Sequence, residues 1–230
     1  MDTNIGLFNR QDGIIRPDEL PKHVMIVGAG GIGSWTALAF AKMGAQKITI
    51  VDFDDIEDVN VAPQFYRLSD IGKKKGEVLK QRINEEMGKE ICEYIDGRWE
   101  NLAVGMPEYI SATDVEVLVM AVDSMDIRIK IFNDIKYVGL SLIIDGRMAK
   151  EQLEIFAVKM TDQEAVQYYQ KYLYPSSEVE EIACTERAVA YNQFVIAGLI
   201  GALLKHYAKG ELETKHLLFD LVSFICVEKN

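Results

Sequence analysis

Three glycines and one aspartate pose the first chemical question. In "VMIVGAGGIGSWTALAFAKMGAQKITIVD", Gly28, Gly30 and Gly33 hold the spacing G-x-G-x-x-G between a continuous apolar run and a helical segment. The first permits a tight turn, the second lets backbone approach a phosphate, and the third lets the helix pack on the strand. Asp52 ends the next apolar run, 19 residues after Gly33, where a carboxylate can accept both hydroxyls of a ribose. The ligand implied is an adenine nucleotide. An NAD enzyme and an ATP-using enzyme on this scaffold need the same turn and the same acid, so these residues alone do not choose between them.

The elements that must position them alternate along the chain. "HVMIVG" (23–28), "KITIVD" (47–52), "EICEYI" (90–95), "VEVLVMAV" (115–122) and "LSLIID" (140–145) read as strands. The first is apolar throughout, as expected of a strand buried on both faces. Between them lie helical segments "GIGSWTALAFAKMG", stopped by Gly44, "IGKKKGEVLKQRINEEMG" (71–88) and "SMDIRIKIFNDIKYVG". Alternation of this kind predicts an α/β fold, a Rossmann-like doubly wound and mostly parallel sheet. After Gly146 the pattern changes to "EQLEIFAVKM", a half-exposed strand, then a helix over 162–173, a long helix from Arg187 to Lys209, and two short strands, "HLLFDLV" and "FICVEK". These predict an antiparallel C-terminal extension. With no repeat and no linker, residues 1–230 read as one domain: an amino-terminal arm (1–22), a nucleotide-binding half (23–146) and a partner-binding or dimer half (147–230).

Composition narrows the function classes. A net charge of −11 argues against binding to nucleic acid, which needs clustered Lys and Arg. Cys92, Cys184 and Cys226 are far apart, which excludes a four-cysteine zinc site and gives no disulfide framework. The expected setting is a reducing cytoplasm. The amino terminus lacks the apolar core of a signal peptide. The longest apolar run, "FVIAGLIGALL" (194–204), is too short for a bilayer and reads as a buried helix, with Gly198 and Gly201 allowing close approach. No membrane association is expected. Cys92 and Cys226 lie in apolar strand patterns and read as core.

The residues after Asp52 choose between the nucleotides. "DFDDIEDVNVAPQFYRLSDIGKKKGEV" resembles the pattern D-x-D-x-[VI]-x-x-x-N-[LV]-x-R-Q, then [DE]-[IV]-G-x-x-K, of the ThiF/MoeB/HesA family, bacterial relatives of the ubiquitin-activating enzymes. Asp52, Asp54, Asn60, Gln64, Asp70, Gly72 and Lys75 fall in step, and the pair Gly30-Gly31 fits this family better than a dehydrogenase. "VMAVDSMDIR" is similar to its D-x-x-D-[NS]-x-x-x-R, which places Asp123, Ser124 and Arg128; "IIDGRMAKEQLEIFAV" looks like its strand pair.

The resemblance implies ATP-dependent adenylation of the C-terminal carboxylate of a small ubiquitin-like protein or peptide, in a homodimer. It implies that Gly28, Gly30, Gly31, Gly33, Asp52, Asp54, Asn60, Gln64, Lys75 and Ser124 bind the nucleotide. Lys75 would serve the phosphates, Asp123 a Mg²⁺ ion, and Arg10 (or else Arg16) would be lent by the second subunit. Many relatives bind structural zinc through two C-x-x-C pairs; this chain has none, so zinc is not expected. One departure stands out. Pro63 occupies the place of the arginine in R-Q, and proline offers neither charge nor an amide donor; Arg67 is the candidate substitute. Cys184 lies just before the long helix, where many relatives form a thioester. A helix dipole and Arg187 would lower its thiol pKa there, whereas the bland reading is a small residue that favours the interior.

Two other readings stay open. Pro63 keeps alive a non-catalytic nucleotide-binding subunit that partners an active one. An NAD-linked oxidoreductase has less support, because no paired His/Asp or Tyr-x-x-x-Lys constellation follows the cofactor half.

Overall fold

A computed structural model of the chain describes residues 6–102, 104–178 and 189–229. Eight strands form one sheet in the order β3-β2-β1-β4-β5-β6-β7-β8. They are β1 (Val24–Val27), β2 (Ile48–Asp52), β3 (Cys92–Asp96), β4 (Val117–Met120), β5 (Leu142–Ala149), β6 (Gln152–Lys159), β7 (His216–Asp220) and β8 (Ile225–Lys229). The first five are mutually parallel, and β6, β7 and β8 add antiparallel hairpins. This is the expected α/β doubly wound sheet with its antiparallel extension.

Successive residues of a strand point to opposite faces, so an apolar strand feeds two cores at once. Val24 and Ile26 of β1 pack with helix α1 (Gly31–Met43), helix α3 (Lys75–Met87) and helix α8 (Ala190–Ala208). Met25 and Val27 face the other way, toward α5 (Met106–Ala112), α6 (Met125–Ile135) and α7 (Gln163–Gln170). The strand order reverses between β1 and β4, and a ligand crevice opens at such a point, beyond the carboxyl ends of the strands.

Several boundaries differ from those expected. α3 begins at Lys75 rather than Ile71. Gly72 sits at φ +84°, and the segment before Lys75 bonds to Ile56 instead, with Gly72 N–H to the Ile56 carbonyl (2.8 Å) and Ile56 N–H to that of Lys73 (2.8 Å). β5 continues through Gly146 to Ala149, so the hairpin with β6 rises past the carboxyl edge of the parallel strands. Three short helices were not anticipated: α2 (Asp58–Val61), α4 (Trp99–Leu102) and α5. Trp99, Met106 and Ile110 of the latter two are buried in the second core.

The long helix is a core element, with Ile196, Ala197, Ile200, Leu203 and Leu204 buried. Gly201 lies against α1, where a Cβ would come within 3.2 Å of the Met43 sulfur, while Gly198 faces open space. Cys92 is buried as expected, and burial pushes its thiol up to about 12. Cys226 is exposed, contrary to expectation. β8 pairs on one side only, and all five of its residues are exposed. An apolar pattern on an outermost strand does not by itself create a core.

Candidate nucleotide site

The turn after β1 is held by its own tight packing. Gly28 has φ +100°, and a Cβ there would lie 2.6 Å from the Ala121 carbonyl oxygen. A Cβ on Gly33 would lie 1.8 Å from the Gly28 carbonyl oxygen. Turn, helix and the end of β4 therefore touch through bare backbone. Gly30 is the N-cap of α1 and Gly31 its first residue, with no side-chain cap. Space is open around Gly30. The first amides of a helix have no intrahelical acceptor, and they sit at the positive end of its dipole. A phosphate group fits this cradle.

Asp52 is tied directly to the turn. One carboxylate oxygen accepts the Ala29 amide (2.6 Å) and the other accepts the Asp54 amide (2.8 Å). Burial pushes its carboxyl above the usual aspartate range, against the pull of those two amides and of the Lys75 charge. Each oxygen retains a second lone pair, which is what two ribose hydroxyls require. Lys75 is buried, and its ammonium contacts Asp54 at 3.0 Å; the Lys75 amide also donates to the Asp54 carbonyl (2.9 Å). Tyr66, absent from the sequence reading, ties the two sides together. Its hydroxyl reaches the Ala29 carbonyl (2.7 Å) and the Lys75 carbonyl (3.3 Å).

The raised Asp52 pKa has a definite sign. The folded state takes up this proton at a higher pH than the unfolded chain does. Asp52 therefore adds stability as pH falls from its folded value toward the ordinary aspartate value, about 3.9. A ribose held by the ionised acid would be released over the same window. Adenosine binding titrated from pH 7 to pH 4 should weaken several-fold on the acid side in the wild type. With Asp52→Asn it should be weak and flat throughout.

Asp70 and Arg82 form a buried ion pair, and Arg82 also donates to the Phe65 carbonyl. Burial raises the Asp70 carboxyl, but the Arg67 amide and Arg82 together outweigh it and hold it below the usual range. Asp70 thus braces the loop that carries Asn60 and Gln64. Asn60 accepts the Glu57 amide (2.9 Å) as part of a local turn, and the Gln64 amide donates to the Asn60 carbonyl (3.1 Å). The Gln64 side-chain oxygen is buried without a hydrogen-bond partner among the described residues. The Pro63 carbonyl accepts the Trp35 indole N–H (3.0 Å), so proline here has a structural contact that arginine could also make through its backbone. Arg67 is exposed in the same loop.

Across the crevice, Asp123 and Ser124 follow β4. Asp123 is exposed. Ser124 is the N-cap of α6, and its hydroxyl oxygen accepts the Ile127 amide at 3.4 Å. Arg128, fully buried, anchors this loop. It donates to the Val122 carbonyl, to the Gly146 carbonyl (3.2 Å) and to the Asp145 carboxylate. Burial and the nearby Arg147 charge push Arg128 down to about 10, still cationic at neutral pH. Asp145 is itself 0% exposed and also accepts from Arg147 (2.9 Å) and from the Tyr169 hydroxyl (2.8 Å). The loop after β4 and the middle of β5 are locked together by this hub.

Not every expected residue gathers here. Arg10 is exposed on the amino-terminal arm, where the neighbouring Gln11 donates to the Met43 carbonyl (2.6 Å) at the far end of α1. A 13-residue helix is about 20 Å long, so within one chain Arg10 is remote from the turn. Arg16 pairs with Asp18 and Glu19 on the surface. Cys184 lies outside the described residues. No cluster of three or more His, Cys, Asp or Glu suited to a metal occurs among the described residues. A magnesium ion on a nucleotide needs only one or two carboxylates beyond the phosphates.

A doubly wound sheet whose glycine turn is bonded to an acid at the next strand end defines a Rossmann-like fold of the nucleotide-binding type. The chain belongs to the ThiF family, whose model matches residues 18–225. Among curated proteins it is 42% identical over 64 residues to the tRNA threonylcarbamoyladenosine dehydratase of Escherichia coli (strain K12), across 27% of this chain and 24% of that protein. It is 31% identical over 107 residues to the NEDD8-activating enzyme E1 catalytic subunit of Arabidopsis thaliana, across 46% of this chain and 22% of that one. The matched stretches thus span about a quarter of these relatives' lengths. Solved structures share the fold over nearly the whole chain. PaaA superposes with a TM-score of 0.78 at 19% identity, covering 100% of this chain and 84% of PaaA. E. coli MccB, solved with ATP, superposes at 0.70 and 18% identity, covering 93% of this chain and 65% of MccB.

Proposed function

We propose that this protein uses ATP to adenylate a carboxylate, the C-terminal one of a small ubiquitin-like protein or peptide. The observation that carries the reading is the bonded group Ala29–Asp52–Asp54–Lys75, a ribose acceptor and a phosphate cation joined at the head of α1. A carboxylate oxygen attacks the α-phosphorus, the bond to the pyrophosphate oxygen breaks with its electron pair, and an acyl-adenylate remains. Catalysis of such a step is mostly alignment and charge stabilisation. In this reading the amides of Gly30 and Gly31 and the Lys75 ammonium meet phosphate charge, and Asp52 fixes the ribose. Asp123 would hold the Mg²⁺ ion, which supplies charge neutralisation on the phosphates. Arg67 takes the place of the arginine absent at position 63. Arg10 enters from a second copy of the chain, and Cys184 is the candidate for a following thioester.

A second substrate reading has a specific basis: several of the curated relatives are tRNA threonylcarbamoyladenosine dehydratases, and a threonylcarbamoyl group carries a carboxylate. The charge of −11 weighs against it, since tRNA binding is dominated by phosphate contacts.

Exchange of labelled pyrophosphate into ATP separates the two. The expected result is exchange with peptides bearing free C-terminal carboxylates and none with their amidated forms. Exchange only with tRNA bearing threonylcarbamoyladenosine would move the substrate to the second reading, and no exchange with either would contradict adenylation. In the same assay Arg67→Ala should raise the KM for ATP about tenfold, the loss of one charge-assisted phosphate contact.

A further inference from the structure

The first turn of α8 carries two adjacent carboxamides, Asn192 and Gln193, each 1% exposed. Asn192 donates to the Lys150 carbonyl (2.6 Å) and so pins the head of α8 to the β5–β6 hairpin. Gln193 differs. Neither its Nε2 nor its Oε1 has a hydrogen-bond partner among the described residues. A buried amide left unpaired is costly, and leucine or methionine would fill similar space without that cost. Its direction is informative. A Cβ on Gly31 would lie 2.8 Å from Gln193 Nε2 and 2.9 Å from its Cγ, so the carboxamide lies directly against the first residue of α1. A side chain at position 31 would have to push the carboxamide aside. The edge contact of Trp35 with Phe194, centroids 4.5 Å apart, fixes the same pair of helix heads. Two positive helix ends therefore converge where the amides of the turn would meet a phosphate.

We infer that Gln193 is a substrate ligand: its Nε2–H donates to a phosphoryl oxygen of a nucleoside triphosphate seated on the head of α1. The inference rests on the ATP reading above. Its chemistry explains an otherwise unfavourable residue, because a buried donor beside an anion site is satisfied when the anion binds. It also gives Gly31 a role besides close approach of the nucleotide, as the space through which a side chain from α8 reaches the phosphate.

Calorimetric binding of Mg·ATP and of adenosine to the full chain tests this in the wild type and in Gln193→Leu, Gln193→Met and Gln193→Glu. The Leu and Met variants should lose about tenfold in ATP affinity, as expected for a hydrogen bond to a charged group, and keep adenosine affinity. Gln193→Glu should lose more, because it sets a negative charge against the phosphate. Thermal unfolding of the nucleotide-free Leu and Met variants should be unchanged or shifted upward, since an unpaired amide has been removed. A merely structural glutamine would give lowered unfolding temperatures and equal losses for both ligands, which overturns the inference. Wild-type ATP affinity in the Leu variant overturns it alone and leaves the ATP reading standing. Failure of the wild type to bind ATP overturns both.

Discussion

Asp123→Asn is expected to slow pyrophosphate exchange by about two to three orders of magnitude while leaving the unfolding temperature nearly unchanged. The size follows from the charge that must be neutralised as the α-phosphorus is attacked; losing one preorganised electrostatic contact in such a site costs about a hundredfold to a thousandfold. The unchanged stability follows from exposure, since Asp123 lies on a solvent-facing loop at the carboxyl edge of the sheet. Steady-state exchange kinetics and a melting curve on the same preparation check both halves. A variant that keeps the wild-type rate would remove Asp123 from the site.

Arg128→Met is expected to do the reverse, acting on stability first. Arg128 is buried and bonded to Asp145, which has no solvent exposure at all. Removing one partner of a buried pair strands the other charge and typically costs about 3–5 kcal/mol. Arg147 and Tyr169 remain bonded to Asp145 and place the expectation toward the lower end of that range. For a chain of this size that corresponds to a fall of about 10 °C in the unfolding temperature. The Val122 carbonyl loses its donor as well, so the loop carrying Asp123 loosens and exchange activity should fall even below the new transition. Denaturant titration gives the stability term, and a cost under about 1 kcal/mol would mean that the hub does not brace the crevice.

The inner strands of the parallel half were legible because they are buried on both faces, which leaves largely apolar runs such as "VMIV" and "ITIV" in the sequence. The glycine spacing and Asp52 were legible for a related reason: a turn against bare backbone tolerates nothing larger, as the 1.8 Å clash at Gly33 makes plain. Short helices were not legible. "WENL" and "MPEYISA" are too brief for a 3.6-residue period to emerge. The exposure of Cys226 was hidden because an alternating pattern does not say whether a strand lies at the edge. At the site, Tyr66 and Gln193 escaped because each acts across a long stretch of chain. Tyr66 bonds a residue 37 positions away, and Gln193 meets a glycine from the other half of the chain. No local signal marks a contact of that kind. Arg82 escaped differently: in a charged amphipathic helix one arginine looks like any other until Asp70 is folded against it.

On the adenylation reading, the glycine turn holds ATP and not a nicotinamide dinucleotide. Calorimetric titration of the purified chain with Mg·ATP, NAD and NADP tests it most directly, with Asp52→Asn as the control for binding at this turn. Saturable binding of ATP, weakened by Asp52→Asn, is the expected result, with no comparable heat from either dinucleotide. Tight binding of NAD or NADP with none of ATP would contradict it and turn the site back into that of an oxidoreductase.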